Sequence, residues 1–188
     1  IQNLGDLIKR AQSQPGKLTY ASSGAGTPYH MAGELLKSMA KIDVLHIPYK
    51  GSSGARTDVL GGQVDLMFDA VTTMTEQVKA GKVKAIATSG RQRSDVLPDV
   101  PTLSEAGVPN YEATIWLGIM APKATPKAVV QTLNMALTKA MATDSLKEKL
   151  AKLGATPLNP SLNAFDDRIR QDRKAWDPML GSLNLQSK

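Results

Sequence analysis

The sequence predicts an α/β fold built on a mainly parallel sheet, and three features of the pattern carry that prediction. Four short β-like runs occur, at residues 18–22, 44–49, 64–68 and 83–88. Segments of helical periodicity fill the gaps between them, and each run ends in a loop of small or polar residues. Strands and helices that alternate in this way favour parallel pairing with right-handed crossovers.

Caps, stops and apolar faces mark the helices of this first part. Asn3 with Asp6 starts a first helix, and Pro15 ends it. A second helix has one apolar face at spacing i, i+4, i+8, formed by Met31, Leu35 and Met39. Glycines end two further helices, at Gly61 and Gly81, and the second of these helices begins near Thr72.

The pattern changes after residue 89. A crossover rich in Pro, Asp and Ser follows, with a short helix expected at residues 102–106 and a β-like run at 113–120. Three helices complete the chain, at residues 126–142, 145–153 and 161–183, and the last carries an apolar stripe that needs a partner surface. We expect one α/β lobe over residues 1–100, then the crossover and C-terminal helices over 101–188.

The charge distribution argues against a nucleic-acid partner. The net charge of +6 is spread evenly, with ten Lys and Arg against seven Asp and Glu in residues 1–90 and an equal excess in the remainder. Nucleic-acid binders concentrate positive charge in a stripe and often add stacking aromatics, whereas only two Trp, four Tyr and two Phe are spread over this chain. We expect a well-mixed, solvated surface.

The composition also restricts cofactors and membrane insertion. Cysteine is absent, which excludes disulfides and thiolate chemistry. His30 and His46 lack carboxylates at metal-ligand spacing, so we predict neither a metal site nor a cofactor. No run reaches the ~18 apolar residues of a membrane span, and the segment that starts at Ile1 contains no signal-peptide core.

The loops that follow the predicted strands form the candidate ligand site, because open parallel sheets bind ligands beyond the carboxyl ends of their strands. The first loop runs directly into a helix and combines glycines, hydroxyls and a helix N-terminus, which suits a carboxylate or a phosphate. Its candidate residues are Ser22, Ser23, Gly24, Ala25, Gly26 and Thr27. A plain tight turn with a Thr cap is the alternative, and residue types alone leave both open.

A similar turn after the second strand favours the anion site. It adds Tyr49, Lys50 and Gly51 as candidates, although Lys50 also suits a solvated position. Asp69 follows a buried-looking strand and is placed either to receive an amine or hydroxyl of a ligand or to cap the next helix. His30, in the first turn of its helix, either touches a ligand or bonds to nearby backbone.

No complete catalytic set is visible in the sequence. The Gly-x-Ser-x-Gly elbow is absent, and Ser23 with His30 would need Asp69 as a third member in a geometry that the sequence does not enforce. We therefore predict a binding protein and not an enzyme.

An ordered series of short motifs carries a resemblance to a known family. The series is SSGAGTPYH at 22–30, IPYKG at 47–51, GGQVD at 61–65, MFD at 67–69, LPDVPT at 97–102, EAG at 105–107, WLG at 116–118 and AP at 121–122. It resembles the Bug-type extracytoplasmic receptors of tripartite tricarboxylate transporters over nearly the whole chain. The sequence departs from the family pattern at Met31, at Arg56, where smaller residues are usual, and at Lys123 with Ala124.

The resemblance implies a periplasmic-binding fold of type II, in which two α/β lobes close on a ligand. Residues 18–89 then form most of the second lobe, and residues from 113 onward return to the first lobe, whose opening segment is not in this sequence. By similarity, Ser22, Ser23, Gly26, Thr27 and Asp69 contact the ligand, while His30 and Tyr49 shape the pocket. Phe68, in the motif at 67–69, joins the candidate set.

The implied partners are a small carboxylate or amino-acid ligand and the membrane permease of a tripartite transporter, in the periplasm. Two other classes share the sheet and its turns. A phosphosugar-handling α/β enzyme would hold phosphate in them, and an effector-binding domain of a transcription regulator has the receptor fold.

Overall fold

A computed structural model describes residues 1–158 and 161–182. Within this part of the chain, helices and strands follow one another in the order α1 (Leu4–Ser13), β1 (Thr19–Ser22), α2 (Pro28–Ala40), β2 (Leu45–Pro48), α3 (Ser52–Leu60), β3 (Leu66–Met67), α4 (Val71–Lys79), α5 (Lys127–Met141), α6 (Asp144–Lys152) and α7 (Leu162–Ser182).

The three strands form a parallel sheet in the order β2-β1-β3, which confirms the predicted α/β fold with parallel pairing. Tyr20 of β1 is opposite His46 of β2 and Leu66 of β3. The chain moves from β1 to β2 on one side and then crosses back to β3 on the other. Right-handed crossovers therefore place α2 and α3 on opposite faces of the sheet.

Small residues let both helices approach the central strand. On the α2 face, a Cβ atom at Gly33 would lie only 2.2 Å from the buried Tyr20 ring, so glycine is needed there. On the α3 face, Ala21 packs with Ala55 and Val64 in a buried apolar cluster. The alternation of Tyr20 and Ala21 along β1 thus fixes which helix covers which face.

Most predicted helix boundaries are confirmed to within two residues. Asn3 caps α1 by accepting a hydrogen bond from the Asp6 N–H at 2.9 Å. The apolar face predicted for α2 was partly wrong, because Leu36 is buried whereas Met39 is 37% exposed. The close approach at Gly33 turns the helix so that Leu36 faces the sheet.

Two predicted strands are wrong. Residues 83–88 form only an isolated bridge, in which the Thr88 N–H donates to the Pro101 carbonyl at 2.8 Å, and residues 113–120 form no strand. The described residues give neither run a neighbouring strand, and without one the ladder cannot form. The short helix expected at 102–106 is a turn, although Thr102 and Glu105 exchange the backbone bonds of a capping box.

Contacts divide the chain into two units, Ile1–Ile115 and Trp116–Lys188, whereas the sequence suggested a change at residue 100. The second unit holds α5, α6 and α7, and the predicted end of the last helix, residue 183, is outside the described residues. Trp116 packs edge-on against Phe165 with ring centroids 5.5 Å apart, and its indole N–H donates to Asp172. No residue of α5 or α6 is buried in this unit.

Candidate functional site

Three helix N-termini meet the same edge of the sheet. Because β1, β2 and β3 are parallel, their carboxyl ends are neighbours, and α2, α3 and α4 begin directly after them. Each N-terminus presents N–H groups that the helix itself leaves unbonded, together with a partial positive charge. The cap residues of α3 and α4, Gly51 and Ala70, have no side chain that could accept a hydrogen bond, so the first-turn N–H groups of these two helices lack a side-chain cap.

The turn after β1, residues 23–27, is held open by its own hydrogen bonds. Thr27 caps α2 and donates its hydroxyl to the Gly24 carbonyl at 2.7 Å, and the Gly26 N–H donates to His30 Nδ1 at 3.0 Å. Gly24 and Gly26 have φ values of 137° and 75°. Only glycine adopts the first of these easily, so the glycines are required by the turn itself.

Several donors of this turn remain without a protein partner. The N–H groups of Ser23 and Ala25, the Ser23 hydroxyl and the Tyr29 N–H of the first turn of α2 are bonded to no atom of the described residues. Ser23 is half-buried and Ala25 is exposed. These donors therefore stay available to an anion at the positive end of α2.

Ser22 and His30 are both buried beneath the turn. The Ser22 side chain is fully buried, and its Oγ atom is 2.6 Å from His46 Nε2 and 3.1 Å from the Gly24 N–H that donates to it. The His30 ring stacks on His46 with centroids 4.0 Å apart. Both side chains thus support the turn from below, and the alternative that His30 bonds to nearby backbone is the one the structure displays.

Burial determines the charge of the stacked histidines. Loss of solvent and, to a smaller extent, the neighbouring His30 ring lower the pKa of His46 to about 4. Burial also lowers the pKa of His30, against the opposing effect of Glu34, whose Oε1 atom is 3.9 Å from His30 Nε2. Both rings are therefore neutral at pH 7, and neither supplies positive charge to an anion.

The turn after β2 is bonded to the turn after β1. The Gly51 N–H donates to the Ser23 carbonyl at 3.0 Å, and Gly51 has a φ of 108° that favours glycine. Tyr49 turns inward, where its ring joins the cluster around Ala55 and its hydroxyl donates to Asp58 at 2.5 Å. The Lys50 side chain is exposed. The two turns therefore form one continuous surface at the carboxyl edge of the sheet.

Asp69, two residues after the end of β3, is the best-satisfied polar group of the edge. Its side chain is only 2% exposed, and it accepts hydrogen bonds from Arg56 Nε, from Arg56 Nη2 at 3.0 Å and from the Ala70 N–H at 2.8 Å. The Tyr29 hydroxyl is a further neighbour, and burial followed by the Asp69 charge raises the pKa of Tyr29. Asp69 does not cap α4, because the cap position belongs to Ala70.

Phe68 faces the interior of the fold and not the surface formed by the two turns. It lines a small apolar pocket under α2 together with Leu7, Tyr20 and Leu36. Its position supports the β3 turn from within the fold.

The residue that the sequence analysis missed as a site component is Arg56. It is the fifth residue of α3 and reaches from that helix to Asp69 and, at 3.2 Å, to the Thr73 hydroxyl on α4. The available signal was a long, positively charged side chain in the second turn of a helix that begins at the carboxyl edge of the sheet. Its partner is 13 residues away across a crossover, which the sequence pattern does not specify.

The arrangement does not assemble a hydrolytic triad. His30 Nδ1 accepts the Gly26 N–H, and Asp69 is paired with Arg56, so neither residue is directed at Ser23. Among residues 1–158 and 161–182, three or more His, Asp or Glu side chains nowhere cluster as a metal site would require. No helix in these ranges is long and apolar enough to span a bilayer.

Comparison with known proteins identifies the class of fold and then the family. The structure of periplasmic binding protein BugD matches 97% of this chain and 62% of its own length, with a TM-score of 0.88 and 35% identity. A protein of R. palustris solved with adipate matches 95% of this chain and 60% of its own length, with a TM-score of 0.88 and 30% identity. The fold is that of a periplasmic binding protein.

The family is shown by the sequence. The model of the tripartite tricarboxylate transporter family receptor matches residues 1–185, and the chain belongs to this family. A UPF0065 protein encoded in the tcbD-tcbE intergenic region of Pseudomonas sp. strain P51 is 37% identical over 186 residues, which are 98% of this chain and 55% of that relative. The chain thus spans little more than half the length of the relative.

Proposed function

We propose that the protein is an extracytoplasmic solute-binding receptor that captures a small organic anion and delivers it to the permease of a tripartite transporter. The observation that carries this proposal is the turn at residues 23–27, where Ser23 and Ala25 keep unbonded donors beside the N-terminus of α2. A carboxylate that accepts these N–H groups would be stabilised by charge-assisted hydrogen bonds.

The family and the adipate of the R. palustris neighbour support a carboxylate as the ligand. In the proposal, backbone donors of residues 23–27 bind it directly. Ser22, His30 and Tyr49 shape the turn, since their polar atoms are used within the protein. Lys50 contributes long-range positive charge from its exposed position.

The proposal also assigns the two parts of the chain to lobes. Residues 1–100 form the lobe that carries the turn, and the C-terminal helices belong to the lobe that closes over the ligand. Closure would exclude water and strengthen the bonds to the turn, and the closed form is the one that a permease would recognise.

Isothermal titration calorimetry of the complete encoded protein tests the proposal. The ligands are mono-, di- and tricarboxylates and amino acids, each at matched pH and ionic strength. We expect at least one of them to bind, and Ser23→Ala to weaken that binding about fivefold to tenfold through one lost donor. Ser38→Ala, at an exposed position on α2, is the matched control and should leave affinity unchanged. Absence of binding across the whole set would contradict the proposal.

A further inference from the structure

The edge of the sheet contains a single acidic residue. In residues 23–30, 49–54 and 68–73, which follow the three strands, Asp69 is the only Asp or Glu. A ligand with an ammonium group needs a carboxylate as partner when it leaves water. Asp69 is therefore the one group of this edge that offers an amine-bearing ligand its counter-charge.

The carboxylate of Asp69 is already paired with Arg56. Its guanidinium donates to both carboxylate oxygens of Asp69, through Nε and through Nη2, in the side-on geometry of a bidentate pair. The Ala70 N–H bonds to Oδ1 as well. To pair with Asp69, the ammonium group of a ligand would have to displace the Arg56 guanidinium, which makes two hydrogen bonds to this carboxylate.

Arg56 itself retains capacity for a ligand. Its side chain is 29% exposed, and in the described part of the chain no acceptor bonds to its Nη1 atom. Tyr29, beside Asp69, belongs to the first turn of α2, so the Arg56 pair adjoins the turn at residues 23–27. The cation is thus presented on the same edge as the unbonded donors of Ser23 and Ala25.

We propose that Arg56 sets the ligand class of this receptor: by neutralising Asp69 and presenting its own Nη1 donors, it selects dicarboxylates and excludes ligands that carry an ammonium group at the second end. This inference rests on the proposed solute-binding function. One carboxylate binds the turn at residues 23–27 and the second accepts from Arg56. An amino acid of the same length would bring its ammonium group to a guanidinium.

Ligands that differ only in the charge of one end test whether Arg56 or Asp69 determines the preference. Calorimetry on the complete encoded protein uses succinate, 4-aminobutyrate and butyrate, and then adipate, 6-aminohexanoate and hexanoate, in which only the second end differs. For at least one set we expect the diacid to bind ten times or more tighter than its amino analogue. Equal or tighter binding of the amino analogues would overturn the inference while leaving the receptor function intact. Failure of all six ligands, together with all other carboxylates and amino acids, would remove both.

Variants of Arg56 test the assignment to this residue. Arg56→Met removes the guanidinium and frees Asp69, so the preference for the diacid should fall tenfold or more and the amino analogue should gain affinity. Arg56→Lys should retain part of the preference. Arg93→Met removes an arginine paired with Glu105 on the more exposed crossover and should leave the preference unchanged. An Arg56→Met protein with the wild-type preference would refute the proposal.

A double variant keeps the test valid if Arg56→Met alone does not fold. Arg56→Met with Asp69→Asn removes both charges and leaves no buried carboxylate without a partner. In this variant the diacid preference should also fall, but the amino analogue should gain nothing because the carboxylate is gone. Retention of the full diacid preference by a folded double variant, checked by circular dichroism, would refute the proposal equally.

Discussion

The Oγ atom of Ser22 and the Nε2 atom of His46 are 2.6 Å apart across the β1-β2 pair, directly beneath the turn that begins at Ser23. Ser22 also accepts the Gly24 N–H, so a single buried hydroxyl connects the second strand to the backbone of the turn. The geometry of the turn at residues 23–27 therefore depends on a polar contact on the α2 face of the sheet.

Ser22→Ala should destabilise the protein without removing a ligand donor. The substitution leaves the Nε2 atom of the partly buried His46 and the Gly24 N–H without their partner, at a cost of about 1 to 3 kcal/mol in the free energy of unfolding. Urea denaturation of Ser22→Ala and Ser23→Ala compares the two neighbours. Ser23→Ala should change stability by less than about 0.5 kcal/mol, since its hydroxyl has no partner among the described residues. Equal loss in both variants would argue against this division of roles.

Acidification should destabilise the protein through its stacked histidines. The folded-state pKa of His46 is lowered to about 4 from 6.5, so between these values the unfolded chain binds a proton that the folded chain does not. The free energy of unfolding is then highest above pH 6.5 and falls as the pH falls towards 4. For this partly buried ring the slope is at most about 1.4 kcal/mol per pH unit.

Urea denaturation between pH 5 and 7.5 measures this slope. Burial raises the pKa of Glu34, but the hydrogen bonds from Tyr20 and Lys37 outweigh burial and lower this pKa from 4.5, so the contribution of Glu34 is lost mostly below this range. His46→Gln should reduce the slope. A slope that is the same in wild type and His46→Gln would show that another group is responsible.

Gly33→Ala should separate α2 from the sheet. An added Cβ atom would lie 2.2 Å from the buried Tyr20 ring, so either the ring or the helix would have to shift. We expect a loss of about 1 to 3 kcal/mol, as for other overpacked cores. Thermal or urea denaturation measures it, with Ser38→Ala on the exposed face of α2 as the control. Unchanged stability in Gly33→Ala would contradict the close packing described for this face.

Local patterns were sufficient to predict the parts of the fold that are determined locally. Asn3 as a helix cap, the three strands that alternate with helices and the glycine turn before α2 follow from residue types at short spacing. Residues 83–88 and 113–120 have strand-like composition, but a strand also needs a neighbour, which depends on distant parts of the chain. Composition alone therefore predicted two strands too many.

The local structure of the candidate site was predictable to a similar extent, whereas its role as a ligand site stays a prediction. The turn at residues 23–27 could be recognised because its glycines, hydroxyls and helix start are contiguous. The internal use of Ser22 and Tyr49 could not, since their partners His46 and Asp58 are fixed by strand register and helix packing. The pairing of Arg56 with Asp69 is likewise a product of the β2-α3-β3 crossover.

A crystal structure of the complete encoded protein, grown with succinate or adipate, tests the central claim most directly. We predict one ligand carboxylate within about 3 Å of the Ser23 and Ala25 N–H groups, in the usual range of hydrogen-bond lengths. A ligand bound elsewhere, with those two N–H groups still unbonded or satisfied only by solvent, would contradict the claim that this turn is the anion site.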